Sequence, residues 1–351
     1  MEAFFSTRLT TGCICSIEWI CDFDKGPYCC REKCCSFCGF EIFVFKNMAI
    51  FLIFLNAFIW SSSFALSKFA MEAAAPLFVT GSRMVLAGVV LFGLLIGKRE
   101  SLRLPRQAIV PVLLLAVIGF YLANVLEFIG LQGLSSSKAC FIYGFSPFTA
   151  AFCSYIQLRE VVTWKKLGGL SLGLVSYLVY LLFGGGEDIS AWGWQLGLPE
   201  LLLIAAACLS SYGWTLLRKL SRRCESLSNT AVNAYAMVIS GVLSLTHSAM
   251  IEIWNPLPVE KPLLFLQAIS ALVIFSNLIC YNLFAKLLRS FSSTFLSFCN
   301  LVMPLFASFF GWLLLGEKFP PGLLFAVGFM VLGCRMIYHE EFRQGYVLSS
   351  E

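Results

Sequence analysis

The most constraining feature of this chain is a near-continuous series of apolar stretches that runs from Met48 to Tyr338. A helix needs roughly 20 predominantly apolar residues to cross about 30 Å of hydrocarbon. Membrane strands would alternate polar and apolar residues, whereas residues 265–284 are apolar on all sides with scattered polar interruptions. With 59% hydrophobic and 13% charged residues, the chain carries more apolar surface than one or two soluble cores can enclose. The sequence therefore predicts an all-α integral membrane protein.

Prolines and glycine-rich segments divide the apolar sequence into ten predicted transmembrane helices. The predicted spans are Met48–Ala70, Pro76–Gly97, Ala108–Gly130, Ser137–Ile156, Lys165–Phe183, Leu196–Leu217, Val232–Glu252, Leu263–Lys286, Ser293–Leu314 and Pro321–Tyr338. The connections between these spans are short, so they leave no room for a soluble catalytic domain.

Basic residues are distributed unevenly between the two sides of this predicted topology. Alternate connections and the two ends hold 20 Lys and Arg residues on one side, against 4 on the other, with Arg83 inside a span. Cytoplasmic loops retain positive charge, so both termini are predicted to be cytoplasmic. The net charge of +5 thus reflects the orientation of the chain in the membrane, and no nucleic-acid partner is expected.

An internal repeat recurs at an offset of 157 residues, with eight identities in 26 positions. Pro147 matches Pro304, and Glu160 matches Glu317, with the same spacing in both copies. We predict five-helix repeats at 48–183 and 196–338, a cysteine-rich cytoplasmic segment at 1–47 and a cytoplasmic tail at 339–351. Because five spans is an odd number, the second repeat would be inverted relative to the first, an arrangement common in secondary transporters.

Two groups of residues resemble a known family. They are Trp60-Ser61-Ser62-Ser63-Phe64 with Lys68, Pro76 and Arg83, and then Pro147–Glu160 with its repeat Pro304–Glu317. Together they resemble the EamA-type repeat of the drug/metabolite transporter superfamily, although Ser61 replaces the usual glycine and the second repeat opens weakly. The resemblance implies ten helices, both termini in the cytoplasm, a central cavity in the bacterial inner membrane and no ATPase. The whole chain is also similar to the S-adenosylmethionine/S-adenosylhomocysteine transporters of obligate intracellular bacteria.

Polar residues inside the third and fourth spans are candidates for substrate binding, because such residues are costly in a bilayer and usually face a cavity or a partner. Glu127, Asn124 and Tyr121 are predicted to share one helix face, where the carboxylate could hold a cationic substrate or titrate for proton coupling. The alternative for Glu127 is a structural ion pair with Lys138 or Arg83.

Further candidates occupy both repeats. Tyr143 and Asn300 each precede the shared proline by four residues, where a freed carbonyl could accept a hydrogen bond from a ligand or simply mark a kink. In the eighth span, a polar stripe comprises Asn277, Tyr281 and Asn282. Near the starts of the two repeats lie the aromatic residues Trp60, Tyr212 and Trp214. The amides could bind a ligand or join helices, and the aromatic rings could stack on a base or anchor the membrane interface.

Eight of the 15 cysteines lie before residue 40. Their spacing could hold zinc, but a cytoplasmic segment argues against disulfides. Translation from Met48 or a functionally silent tail are alternative explanations. We predict no cofactor and no metal at the substrate site.

The function predicted from the sequence is secondary transport of a small metabolite, with S-adenosylmethionine exchanged for S-adenosylhomocysteine as the resemblance implies. An amino-acid or drug/metabolite exporter of the same family is the alternative. An integral-membrane enzyme or a scaffold subunit represents a different class, but no catalytic cluster supports the enzyme and the short loops offer little docking surface. The expected partners are the substrate and the bilayer, and a homodimer is left open.

Overall fold

The structure is a computed structural model that describes residues 35–134, 136–184, 197–224, 227–316 and 323–345. The chain divides into two units, Met1–Val44 and Phe45–Glu351. The predicted cysteine-rich segment falls almost entirely outside the described ranges. The start of the first helix, from residue 35, is described as backbone only.

Helices make up nearly all of the described chain. The α-helices are α1 (Cys35–Met71), α2 (Pro76–Gly97), α3 (Arg106–Leu114), α4 (Ala123–Leu131), α5 (Ser136–Tyr143), α6 (Ser146–Leu158), α7 (Trp164–Gly184), α8 (Leu198–Arg223), α9 (Asn229–Ile251), α10 (Pro262–Ala271), α11 (Tyr281–Ser290), α12 (Ser293–Cys299), α13 (Met303–Leu315) and α14 (Leu323–Arg343). A first π-helical segment, Leu115–Leu122, joins α3 to α4, and a second, Leu272–Cys280, joins α10 to α11. A short 3₁₀ turn, Asn300–Val302, joins α12 to α13.

The all-α membrane fold predicted from the sequence is confirmed. Within the described part of the chain, seven helical stretches are long and apolar enough to cross a membrane by length and composition. Helices also occupy the fourth, fifth and tenth predicted spans, and the total of ten crossings stays a prediction. The β-structure among the described residues is a single isolated bridge between Ala74 and Val259.

The two halves of the chain repeat the same irregularities 157 residues apart. The first π-helical segment begins at Leu115 and the second at Leu272. In the same way, α6 begins at Ser146 and α13 at Met303. The fourth span is therefore broken into α5 and α6, and the proline lies in the first turn of the second helix, where a missing N–H costs nothing. Of the alternatives left open at this proline, a simple kink does not describe the structure, which has a break between two helices.

Small residues allow the helices around the middle of the chain to approach closely. Gly119, in the first π-helical segment, faces Gly213 of α8, and a Cβ on Gly213 would lie only 2.7 Å from the Cα of Gly119. Gly169 and Gly173 of α7 are packed closely against side chains of α14 and α12, respectively. The contact between Gly119 and Gly213 brings two backbones together without an intervening side chain, as is typical of membrane helices.

A group of buried charges lies where the ends of several helices meet. Glu160, after α6, pairs with Arg218 near the end of α8 at 2.6 Å. Lys166 of α7 pairs with Glu341 of α14 at 2.9 Å, and Ser292 also donates a hydrogen bond to Glu341. Burial raises the pKa of Glu160 above its ordinary value, and the charge of Arg218 opposes that shift. These pairs tie the two halves of the sequence together at one end of the helices.

Candidate functional site

A polar cavity lies among the helices of the unit Phe45–Glu351. It is bordered by residues of α1, α2, α4, α5, α8 and α11, together with residues of the segments around the helix breaks. The space between its lining atoms, with the open mouth included, is about 800 Å³, of which about 70 Å³ can hold the centre of a water molecule. Seven of the residues predicted to bind substrate line this cavity: Trp60, Asn124, Glu127, Tyr143, Trp214, Tyr281 and Asn300. They come from both halves of the chain.

The first wall of the cavity is charged and hydrogen-bonded. Asn124 and Glu127 lie three residues apart on α4, so they share a helix face. The Tyr143 hydroxyl donates to Glu127 Oε2 at 2.7 Å. Arg83 of α2 donates through Nη2 to Asn124 Oδ1, and its guanidinium lies 4.8 Å from the centre of the Phe128 ring. A cation and an anion therefore line the same cavity.

The structural ion pair proposed for Glu127 with Lys138 is wrong. Lys138 instead pairs with Glu200 of α8 at 2.7 Å. The ion pairs between described residues include none that joins Glu127 to Arg83, so the hydrogen bond from Tyr143 is the contact that holds this carboxylate. Glu127 thus lies beside a space that a ligand can enter.

The second wall of the cavity is aromatic. Trp60 of α1 lies 5.7 Å from Trp214 of α8 and 5.4 Å from Tyr281 of α11, measured between ring centres. Trp214 also lies 4.8 Å from Phe284. These distances and edge-on or tilted angles are those that aromatic pairs prefer. Trp60 and Trp214 therefore belong to an internal cluster, and interface anchoring does not describe them.

The two walls meet at positions that correspond in the internal repeat. Asn124 and Tyr281 are 157 residues apart, and Asn124 Nδ2 donates to the Tyr281 hydroxyl oxygen at 3.4 Å. Tyr143 and Asn300 correspond in the same way, and both line the cavity beside the helix breaks. The cavity is thus built from equivalent parts of both halves.

The other four predicted residues lie outside the cavity lining. The Tyr121 hydroxyl contacts His247 Nδ1 at 3.0 Å, and Tyr121 is not among the residues that line the cavity. Tyr121 belongs to the π-helical segment, where the wider turn changes which residues share a face. Tyr212 is half-buried against the aliphatic and aromatic core.

Asn277 and Asn282 are engaged between or within helices. Asn277 is fully buried, and its Nδ2 contacts the Met84 sulfur at 3.2 Å. Asn282 Oδ1 accepts a hydrogen bond from Asn233 of α9 at 3.2 Å, and its Nδ2 donates to the Leu278 carbonyl at 2.9 Å. These contacts fit the helix-joining alternative that the sequence left open for the amides.

Sequence reasoning missed several cavity residues. Arg83 was considered only as a motif residue and as a partner for Glu127, although an arginine inside a membrane span is itself a strong signal. Serines make up most of the remaining polar lining, at positions 63, 146, 210, 211, 276 and 297. A serine within an apolar helix carries little signal, because its hydroxyl commonly bonds to a carbonyl of the preceding turn.

Comparison with known proteins connects this geometry to a family. The profile of the EamA-like transporter family matches residues 47–182 and again residues 198–339. A protein of Chlamydia trachomatis serovar D named S-adenosylmethionine/S-adenosylhomocysteine transporter is 88% identical over 317 residues, which are 90% of this chain and 97% of that protein. A protein of the same name from Chlamydia muridarum is 88% identical over 306 residues, covering 87% and 96% of the two chains.

A solved structure shares the fold. This crystal structure is 18% identical, has a TM-score of 0.65 and covers 85% of this chain and 99% of its own. The apolar helices make the chain a multi-pass membrane protein, and the two profile matches identify a transporter and not an enzyme. With a polar cavity between its repeated halves, the chain belongs to the EamA-like transporter family.

Proposed function

We propose that this protein exchanges S-adenosylmethionine for S-adenosylhomocysteine across the bacterial inner membrane, with both termini in the cytoplasm. The observation that carries the proposal is a single cavity in which a carboxylate, a guanidinium and an aromatic cluster lie together. The names of the two Chlamydia relatives, each 88% identical to this chain, support the same substrate pair.

The chemistry of the cavity suits an adenosyl amino acid. The rings of Trp60, Trp214 and Tyr281 offer faces and edges on which a flat purine can stack. Glu127 offers a negative charge to a sulfonium or an ammonium group, and in a low-dielectric cavity that attraction is much stronger than in water. A ligand that is aromatic at one end and charged at the other therefore matches both walls.

The repeat supports an alternating-access mechanism. We propose that residues 48–183 and 196–338 are oppositely oriented five-helix units, and that the cavity between them opens to one side at a time. Transporters built from inverted repeats place their site near the bilayer midplane between the repeats. Exchange then needs only the gradients of the two substrates, and the family resemblance likewise implies no ATPase.

Counterflow into proteoliposomes tests the substrate assignment. Vesicles loaded with S-adenosylhomocysteine should accumulate labelled S-adenosylmethionine, and empty vesicles should not. A panel of unlabelled amino acids and nucleosides added outside distinguishes the proposal from general amino-acid export. Competition by free amino acids alone, with no effect of the adenosyl compounds, would reject the proposed substrates in favour of that alternative.

The orientation is tested separately in cells. Reporter tags that are active on only one face of the membrane, attached to each end of the chain, should both report the cytoplasm. Tags on opposite faces would mean an odd number of crossings and would reject the inverted five-helix arrangement.

A further inference from the structure

Arg83 is the charged residue of the cavity that the proposed function has not yet used. It lies within α2, is only 3% exposed and lines the cavity. A charge inside a membrane helix is costly, so it is normally matched by a partner or faces a cavity. The direct contacts of Arg83 with Asn124 and Phe128 are neutral. The charges of Arg83 and Glu127 attract each other, but the ion pairs among the described residues include none that joins them directly.

The hydrogen-bonding capacity of this guanidinium is incompletely used. Arg83 Nε is buried and has no hydrogen-bond partner. Leaving a buried donor without a hydrogen bond destabilises the protein, and the cost is larger when the group is charged. The five N–H groups of arginine form a planar fork that matches the two oxygens of a carboxylate. An unpaired donor of this kind beside a cavity is suited to an acidic ligand group.

The surroundings of Arg83 hold its fork in a defined orientation. Asn124 Oδ1 accepts from Nη2, and Asn124 Nδ2 is itself bonded to the Phe120 carbonyl at 2.7 Å, so the amide is fixed. The Phe128 ring lies against the guanidinium. Glu127 is on the same helix as both of these residues. One wall of the cavity thus presents a fixed cation and a fixed anion to the same ligand.

We propose that Arg83 binds the α-carboxylate of the substrate, while Glu127 faces its sulfonium group. This inference rests on the proposed function and adds a basis for selectivity to it. Adenosyl compounds that retain the carboxylate bind well, and otherwise identical compounds without it bind poorly. The aromatic cluster alone would not make this distinction, because a purine ring is present in both.

Decarboxylated S-adenosylmethionine provides the test, since it differs from S-adenosylmethionine only at the carboxylate. In the counterflow assay, wild-type protein should need at least about tenfold more of the decarboxylated compound for half-inhibition, as expected for loss of a charge-assisted pair. Arg83→Gln should bring the two concentrations close to each other. Arg103→Gln, which removes an exposed guanidinium, is the matched control and should keep the wild-type ratio.

Each outcome has a distinct meaning. Equal inhibition of the wild-type protein by both compounds would overturn the role of Arg83 and leave the substrate assignment intact. Failure of wild-type protein to accumulate labelled S-adenosylmethionine would instead reject the proposed function. If Arg83→Gln is inactive with every compound, Arg83→Lys decides, because it keeps the charge but loses the fork. A reduced ratio in Arg83→Lys supports the proposal, and an unchanged ratio overturns it.

Discussion

The Glu127 carboxylate, held by Tyr143 at 2.7 Å, leads to a prediction about substrate charge. Glu127→Gln keeps the shape of the side chain and its ability to accept a hydrogen bond, but it removes the negative charge. S-adenosylmethionine carries a sulfonium charge that S-adenosylhomocysteine lacks. We therefore expect the substitution to weaken the binding of S-adenosylmethionine by about tenfold, a typical loss for a charged pair. The binding of S-adenosylhomocysteine should be weakened less. Inhibition constants from counterflow measure both.

Glu72→Gln is the matched control for this prediction. Glu72 is an exposed acid just beyond α1, so neutralising it should leave both inhibition constants unchanged. If Glu127→Gln weakens the binding of both substrates equally, Glu127 does not distinguish the charged substrate from the neutral one.

For single residues, the sequence predicted which residue types belong to the site. It predicted less well whether each side chain points into the cavity or towards a partner. A carboxylate or amide in a span must face a cavity or a partner, and this argument identified Glu127 and Asn124. It could not tell cavity from partner, and for Tyr121 the partner is His247. For Arg83, the position in a motif is a weaker signal than the cost of burying its charge, which by itself indicates a cavity or a partner.

Among the helices, the contact of Gly119 with Gly213 is a sharp test of packing. Because a Cβ on Gly213 would lie 2.7 Å from the Gly119 Cα, Gly213→Ala must separate α8 from the first π-helical segment. We expect a loss of about 1–3 kcal/mol, the usual cost of overpacking, detected as a lower unfolding temperature in detergent. Gly93→Ala is the control, since nothing lies within 4 Å of a Cβ there. Similar effects of both substitutions would contradict the close packing.

The buried pair between Glu160 and Arg218 leads to a prediction about stability. Glu160→Gln removes the negative charge that lies 2.6 Å from Arg218, a residue with no exposed surface. Breaking one side of a buried pair typically costs about 3–5 kcal/mol, whereas replacing both partners with apolar residues costs far less. We expect Glu160→Gln to destabilise the protein more than the double variant Glu160→Leu/Arg218→Met does. Chemical unfolding in micelles provides the comparison, and the reverse order would show that the pair is not isolated from solvent.

The helix positions followed from apolar length, but the helix irregularities did not. Runs such as residues 265–284 predict a span because hydrocarbon thickness sets the length. The two π-helical segments have no signature in composition, because Leu115–Leu122 is as apolar as an ordinary helix. Pro147 marked the break in the fourth span, but a proline is compatible with both a kink and a new helix start, and only packing distinguishes them.

For the whole molecule, the internal repeat was the most informative signal in the sequence. Eight identities at an offset of 157 residues predicted two related halves, and the structure repeats its π-helical segments and helix breaks at the same offset. The sequence could not predict that Asn124 and Tyr281, which correspond in the repeat, meet at 3.4 Å inside the cavity. That contact depends on how the halves pack, and packing between the halves leaves no pattern within either of them.

The proposed exchange has a consequence for the whole membrane. At neutral pH, S-adenosylmethionine carries one net positive charge and S-adenosylhomocysteine carries none, so each cycle moves one charge across the bilayer. A charge that crosses 100 mV gains about 2.3 kcal/mol, which corresponds to roughly a fortyfold change in an equilibrium ratio. Because the opposing charges of Arg83 and Glu127 both belong to the protein, they do not cancel this movement.

We therefore expect a potential that is negative inside vesicles, set by potassium and valinomycin, to increase uptake of S-adenosylmethionine and the final ratio of the two substrates. Exchange of S-adenosylhomocysteine for itself moves no net charge and should respond much less at equilibrium. A final ratio that is independent of potential would mean that another ion accompanies the substrate, and one-for-one exchange without an accompanying ion would be wrong.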